Sequence, residues 1–227
     1  MTYAVIPAKG FQGAKQRLAP LLAPDERCRL AEAMLIDTLG ACAQARQLSG
    51  FAVVTSDAAV AEVAASYQAD VIWQAVAAGH SQAVAYAATV CRQDGKTSML
   101  TLPGDLPLLQ PDDIDGILTA AGPKTDIIMV PNRDEMGTNA MLLTPPDCLP
   151  LQFGYDSFQR HLRLAAERQL RVAVRRLPRV ELDIDEPQDL ALFATQPSTG
   201  LSYRLLDDLG ILPRLARQER LCMQEKH

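Results

Sequence analysis

The chain has 227 residues, 48% of them hydrophobic and 22% charged, with a formal net charge of −5. That size suits one large domain, or one domain with a short appendage, and that balance excludes a disordered or low-complexity chain. There is no apolar run of about eighteen residues, so no membrane span is expected, and the acidic charge with eleven aromatics argues against a general nucleic-acid binder.

The first eighteen residues lack a charged region ahead of their short apolar run, so they read as a buried strand and not as a signal peptide. Five dispersed cysteines (Cys28, Cys42, Cys91, Cys148, Cys222) form no CxxC pair. They read as small buried hydrophobes of a reducing compartment, and the expected location is the cytoplasm.

In chain order, Tyr3–Pro7, Phe51–Thr55, Asp70–Trp73, Ser98–Leu102, Asp126–Val130 and Asn139–Thr144 are short apolar runs bounded by Gly, Pro, Asp or Ser, which predicts strands. Their near-continuous apolarity predicts a mainly parallel sheet covered on both faces. Helical periodicity fills Pro24–Gln47, Ala58–Gln68, Ser81–Cys91 and Asp112–Ala121, with Asp57 and Ser81 placed as caps and Pro111 in a first turn. This alternation predicts an α/β sandwich built from βαβ units. Downstream, Asp156–Leu170 predicts a helix, Val172–Val174 and Val180–Asp183 predict short strands, and Pro187–Ala194 predicts a closing helix. A linker follows at Gln196–Gly200. Leu201–Leu209 and a stretch to about Met223 then predict a helical hairpin, with Leu205, Leu209 and Leu212 inward and Arg204, Asp207 and Asp208 outward. The expected division is a domain over 1–195 and an extension over 196–227, packed on its own domain or on a second subunit. A homodimer therefore stays open.

Three segments carry chemistry. Asp105 follows an apolar strand and is flanked by Pro103, Gly104 and Pro107, where open α/β sheets collect ligands. The plainer alternative is a turn aspartate capping the next helix. Asp183 and Asp185 stand two apart, so on a strand they aim together, and oxygen-only ligation suits Mg²⁺. The alternative there is that Asp185 caps the next helix while Asp183 is solvated. The loop Ala8–Leu18 combines Gly10 and Gly13 with Lys9, Lys15 and Arg17, which suits a phosphate cradle but matches neither a Walker A motif nor a dinucleotide fingerprint. Solvated surface charges are the alternative.

Taken together, the chain resembles the guanylyltransferase family of deazaflavin-coenzyme (F-420) biosynthesis, whose members look like small relatives of the nucleotide-sugar and molybdenum-cofactor nucleotidyltransferases. The resemblance spans about residues 3–194. It rests on Ala14–Pro20, Pro103–Leu108, Gly137-Thr138-Asn139-Ala140, Phe153–Phe158 with His161, and Leu182–Pro187. It implies a Rossmann-like nucleotide-diphospho-sugar transferase fold and transfer of GMP from GTP to 2-phospho-L-lactate, phosphoenolpyruvate or 3-phospho-D-glycerate, releasing pyrophosphate. By the same analogy Asp105, Asp183 and Asp185 hold Mg²⁺, and Lys15 with Arg17 steadies the leaving pyrophosphate. Ala8, Gly13, Lys15, Gly79, Ser81 and Asp105 face the nucleotide. Thr138, Gly154 and Ser157 face the acceptor. The sequence departs from the family pattern at Lys15-Gln16-Arg17 and Gly79-His80-Ser81, both near the nucleotide. His80 and His161 read as packing or binding residues, not as bases. Seven arginines against two acidic residues between Asp156 and Arg179 suit an anionic substrate, although a solvated helix face accounts for most of them. The alternatives are a molybdenum-cofactor or sugar-phosphate nucleotidyltransferase and a catalytically silent nucleotide-binding protein.

Overall fold

The computed structural model describes residues 1–74 and 79–215. Among the described residues seven strands form one sheet: β1 (Thr2–Pro7), β2 (Leu48–Thr55), β3 (Asp70–Trp73), β4 (Ser98–Thr101), β5 (Ile127–Pro131), β6 (Thr138–Leu143) and β7 (Val172–Val174). Their spatial order is β3-β2-β1-β4-β6-β5-β7. All neighbours pair in parallel except β6, which runs antiparallel to both β4 and β5.

The helices are α1 (Pro24–Gln44), α2 (Ala58–Ser66), α3 (His80–Gln93), α4 (Pro111–Thr119), α5 (Ser157–Glu167), α6 (Pro178–Glu181), α7 (Pro187–Ala194) and α8 (Leu201–Asp208). Alternate residues of β1 show why its sequence does not alternate in polarity. Ala4 and Ile6 join a core with Leu35 and Leu39 of α1 and Ile114 of α4, while Tyr3 and Val5 join another with Val84 and Ala87 of α3. Both faces of the sheet are covered, so both sets of side chains are apolar.

Local chemistry sets the element ends. Asp57 caps α2, its Oδ1 accepting from the backbone N–H groups of Ala59 and Val60 at 2.9 and 3.2 Å. Pro111 opens α4. Two expectations need correction. The cap of α3 is Gly79, at φ +88°, so Ser81 lies inside the helix and caps nothing. Val180–Asp183 is not a strand: Pro178 starts the single helical turn α6, which buries Val180 on the sheet, and Leu182 onward is extended loop.

A third core lies beyond α1, where Leu30, Met34 and Phe193 meet Leu205, Leu206, Ile211, Leu212 and Leu215. The C-terminal helix therefore packs on its own domain, with Leu205 and Leu212 inward and Arg204, Asp207 and Asp208 exposed, while Leu209 is half-buried. Gly210, at φ +65°, turns the chain into the helical residues 211–215. The rest of the predicted hairpin, with Cys222, lies outside the described residues. The other four cysteines are free thiols. No helix among the described residues is long and apolar enough to cross a membrane.

Candidate active site

Strands β2 and β3 lie to one side of β1 and β4 to the other, so the connections after β1 and β4 leave in opposite directions and open a crevice beyond their carboxyl ends. The loop after β1 enters it under tight constraint. A Cβ on Gly10 would stand 2.3 Å from Oδ2 of Asp57. Gly13 and then Lys15 adopt left-handed conformations, at φ +71° and +52°. The second is uncommon for a side chain that is not glycine.

That turn drives the Lys15 side chain inward, to 10% exposure. Its ammonium donates to Asp105 Oδ2 at 2.5 Å and to Asp185 Oδ1 at 2.9 Å. Burial alone would lower the lysine's pKa, but the two carboxylates outweigh it and hold the charge on. Burial likewise works against the Asp185 charge, and Lys15 with Arg17 reverses that, leaving the carboxyl below its ordinary range. Asp185 does not cap α7; the N-cap is Glu186, whose backbone N–H donates to Asp189 in the first turn at 2.8 Å. Arg17 is exposed and pairs with Glu186 at 3.3 Å.

Asp183 is differently placed. Burial first, and then the charge of Asp105, push its carboxyl up to about 6, with only partial relief from Asn139. Asn139 Nδ2 bridges the Val180 carbonyl at 3.0 Å and Asp183 Oδ1 at 3.1 Å, tying this loop to β6. Asp105 Oδ1 is buried without a hydrogen-bond partner. The three carboxylates thus gather at one pole, although they do not share a strand. Among the described residues no group of three or more His, Cys, Asp or Glu side chains forms a ready metal cage, and between Asp105 and Asp185 the Lys15 ammonium supplies the positive charge. The orphaned oxygen of Asp105 and the crowded charge of Asp183 still fit a divalent cation, which would satisfy both.

Two cavities meet here. One, of about 640 Å³, is lined by Ala8, Lys9, Gly13, Asp57 and His80. The other, of about 670 Å³, is lined by Ser81, Asn139, Gly154, Phe153 and Ser157, with Thr138 beside them. Lys15 lines the first, Arg17 and Asp183 the second, and His80, Asp105 and Asp185 line both. Gly79 faces a small recess beside the first cavity. Ser81, expected at the nucleotide, lines the second cavity together with Thr138, Gly154 and Ser157, and its hydroxyl accepts from the Phe153 N–H at 2.9 Å. The role of Asn139, the place of the capping Asp57 on the first cavity wall and the partners of His161 are site features that the sequence reading missed. Asn139 sits inside a quoted motif, but its bridging role depends on α6, which read as a strand.

The family model described as "Guanylyl transferase CofC like" matches residues 2–224. The chain belongs to this CofC-like guanylyl transferase family. The match includes the C-terminal helix that the sequence resemblance left outside. A phosphoenolpyruvate guanylyltransferase of Conexibacter woesei is 40% identical over 192 residues, covering 83% of this chain and 85% of that one. A 3-phospho-D-glycerate guanylyltransferase of Colwellia psychrerythraea is 35% identical, covering 85% and 91%. A 2-phospho-L-lactate guanylyltransferase of Methanothermobacter thermautotrophicus is 33% identical, covering 83% and 82%. Among solved structures, one from Desulfovibrio desulfuricans G20, provisionally described as a nucleotide-diphospho-sugar transferase, superposes with TM-score 0.76 at 16% identity, covering 94% and 97%. A nucleotidyl transferase of Methanothermobacter thermautotrophicus gives 0.61 at 18%, covering 85% and 95%. These likenesses establish the fold, and this CofC-like chain is a nucleotidyltransferase enzyme.

Proposed function

We propose that the protein transfers GMP from GTP to a phosphorylated three-carbon acid with release of pyrophosphate, and that the product feeds coenzyme F-420 biosynthesis. The observation that carries this is the wall shared by the two cavities. Asp105 and Asp185 face both, one cavity bordered by a cationic glycine loop and the other by hydroxyls and a glycine. Four relatives at 36–40% identity are named for phosphoenolpyruvate, which makes it the first acceptor to test, ahead of 3-phospho-D-glycerate and 2-phospho-L-lactate.

In this reading the triphosphate lies along the loop after β1, with backbone N–H groups near Gly13 and the Lys15 and Arg17 charges toward the leaving pyrophosphate. The acceptor lies against Thr138, Gly154 and Ser157. Gly154, at φ +116°, permits a backbone course that a side chain would strain. Ser157 opens α5; its own N–H is spent on the Met136 and Gly154 carbonyls, and the N–H groups of Phe158 and Gln159 that follow it in the first turn favour an anion. An ionised phosphate oxygen attacks the α-phosphorus in line, so no protein nucleophile is required. Asp105 and Asp183 would hold Mg²⁺, with Asp185 beside them; when bound, the cation neutralises charge gathering on the phosphates.

Pyrophosphate release, with product mass, from a panel of GTP, ATP and CTP against each acid tests this. Turnover with GTP and one of the three acids is expected. Nucleotide binding without pyrophosphate from any acid would make the chain a silent binding protein instead.

A further inference from the structure

His161 sits on α5, fully buried, between two partners. Its Nε2 lies 3.0 Å from the backbone nitrogen of Gln152, and its Nδ1 lies 3.1 Å from Thr138 Oγ1. A backbone N–H can only donate, so Nε2 must present its lone pair. A neutral imidazole then carries its single proton on Nδ1, and that proton points at Thr138 Oγ1. Burial holds the ring's pKa down at about 4, which keeps it neutral at physiological pH. Thr138 Oγ1 therefore accepts from His161, and it also accepts the longer 3.4 Å contact from Ser157 Oγ. The Thr138 hydroxyl has one proton left, with no hydrogen-bond acceptor among the described residues, and the residue lines the second cavity.

We infer that His161 is a positioning residue: through its fixed tautomer it makes Thr138 a dedicated hydrogen-bond donor, aimed at an anionic oxygen of the acceptor. This rests on the acceptor placement proposed above. A threonine hydroxyl left to rotate can meet a ligand as donor or acceptor, whereas one whose oxygen is already occupied can only donate. A second tie supports this role. The Gln152 N–H that sets the tautomer begins the segment leading to Gly154, and the Phe153 ring packs edge-on against both His161 and His80 at 5.1 and 4.6 Å between centroids. The imidazole thus couples the loop behind the acceptor to the hydroxyl in front of it.

Steady-state kinetics with GTP, Mg²⁺ and phosphoenolpyruvate test the inference, with ¹⁵N-histidine NMR as a second measurement. Thr138→Val should raise the acceptor KM about tenfold or more while the GTP KM moves less than about twofold. His161→Phe should reproduce most of that selective rise, and adding Thr138→Val to it should change little further. His161→Asn, whose amide can still donate from the Nδ1 position, should recover most of the loss. Long-range ¹⁵N couplings in the unsubstituted protein should show the Nδ1–H tautomer for His161. If Thr138→Val leaves the acceptor KM unchanged, the acceptor placement falls and the inference with it. If Thr138→Val acts but His161→Phe does not, or acts equally on GTP, only the positioning role falls. An Nε2–H tautomer also overturns it, even where the variants do not fold.

Discussion

Asp183 carries a cost in the folded protein before any ligand enters. Its carboxyl rises to about 6 because it is buried and faces Asp105 without a cation of its own. An acid whose folded pKa lies above its unfolded value binds more protons in the native state. Stability is therefore lost as pH rises from about 4 through about 6. Asp183→Asn keeps an acceptor oxygen for Asn139 and removes that charge. The ligand-free variant should melt no lower than the parent at pH 7, its stability should lose this downward slope between pH 4 and 6, and Mg²⁺-dependent turnover should fall by about a hundredfold or more. Lower melting with activity kept within about tenfold would show a structural carboxylate instead. His161 contributes with the opposite sign. Its folded pKa of about 4 lies below the ordinary 6.5, so its contribution to stability is full above pH 6.5 and drains away toward pH 4. Urea unfolding of the parent and of His161→Phe across pH 4–7 isolates it: the difference between the two curves should shrink as pH falls, and a constant difference would refute the assignment.

Helix α8 depends on a residue far away in sequence. Asp37 of α1 accepts from the backbone N–H groups of Leu201 and Ser202 at 2.7 and 2.9 Å, and from the Ser202 hydroxyl at 2.6 Å. It thus serves as the N-cap that Gly200 cannot provide. Asp37→Ala should lower stability by about 1–2 kcal/mol, roughly 3–6 °C in a chain of this size, with little change in turnover. Truncation after Thr199 should cost more, because it uncovers Leu30, Met34 and Phe193. Calorimetry checks both, and a truncated chain melting with the parent would overturn this account of the third core. The amphipathic pattern of Leu205 and Leu212 made the helix legible in the sequence, but Asp37 carries no local sign that it caps something 164 residues away. The same contrast runs through the sheet. Asp70–Trp73 and Val172–Val174 were readable to the residue, because bounded apolar runs report burial on both faces. Val180 was read as strand for the same reason, yet Pro178 before it starts a helical turn, and a buried valine looks alike in either. Asp105, Asp183 and Asp185 were legible as strand-end or loop carboxylates. The Lys15 ammonium between two of them was not, because it follows from a left-handed backbone that a lysine codon does not advertise.

On the scale of the whole molecule, charge is arranged by pairing more than by excess. Of the seven arginines between Asp156 and Arg179, four are matched: Arg163 to Asp156, Arg171 to Asp126, Arg176 to Glu181 and Arg179 to Asp113. Much of the basic excess seen in sequence is thus already partnered, and at the pole holding Asp105, Asp183 and Asp185 the single Lys15 ammonium pairs with two of the three carboxylates and leaves Asp183 without a cation. An anionic triphosphate placed there needs a cation with it. GTP without a divalent ion should therefore stabilise the protein little, whereas GTP with Mg²⁺ should do so strongly. At a hundredfold excess over Kd, binding to the folded state alone contributes about 2.7 kcal/mol, a rise in melting temperature of roughly 5–10 °C for this length. EDTA should abolish the rise, and so should Asp105→Asn, which leaves the ligand-free melting temperature close to that of the parent. The acceptor enters through the other cavity but shares Asp105 and Asp185 with the nucleotide, so the two ligands should not act independently. Whatever factor Mg²⁺-GTP brings to acceptor affinity, the acceptor must return to GTP. Calorimetric titration of each acid, with and without a non-hydrolysable GTP analogue and Mg²⁺, reads that factor from both directions. An equally large thermal shift from GTP in EDTA would remove the cation from this site, and strict independence of the two ligands would separate the two cavities functionally.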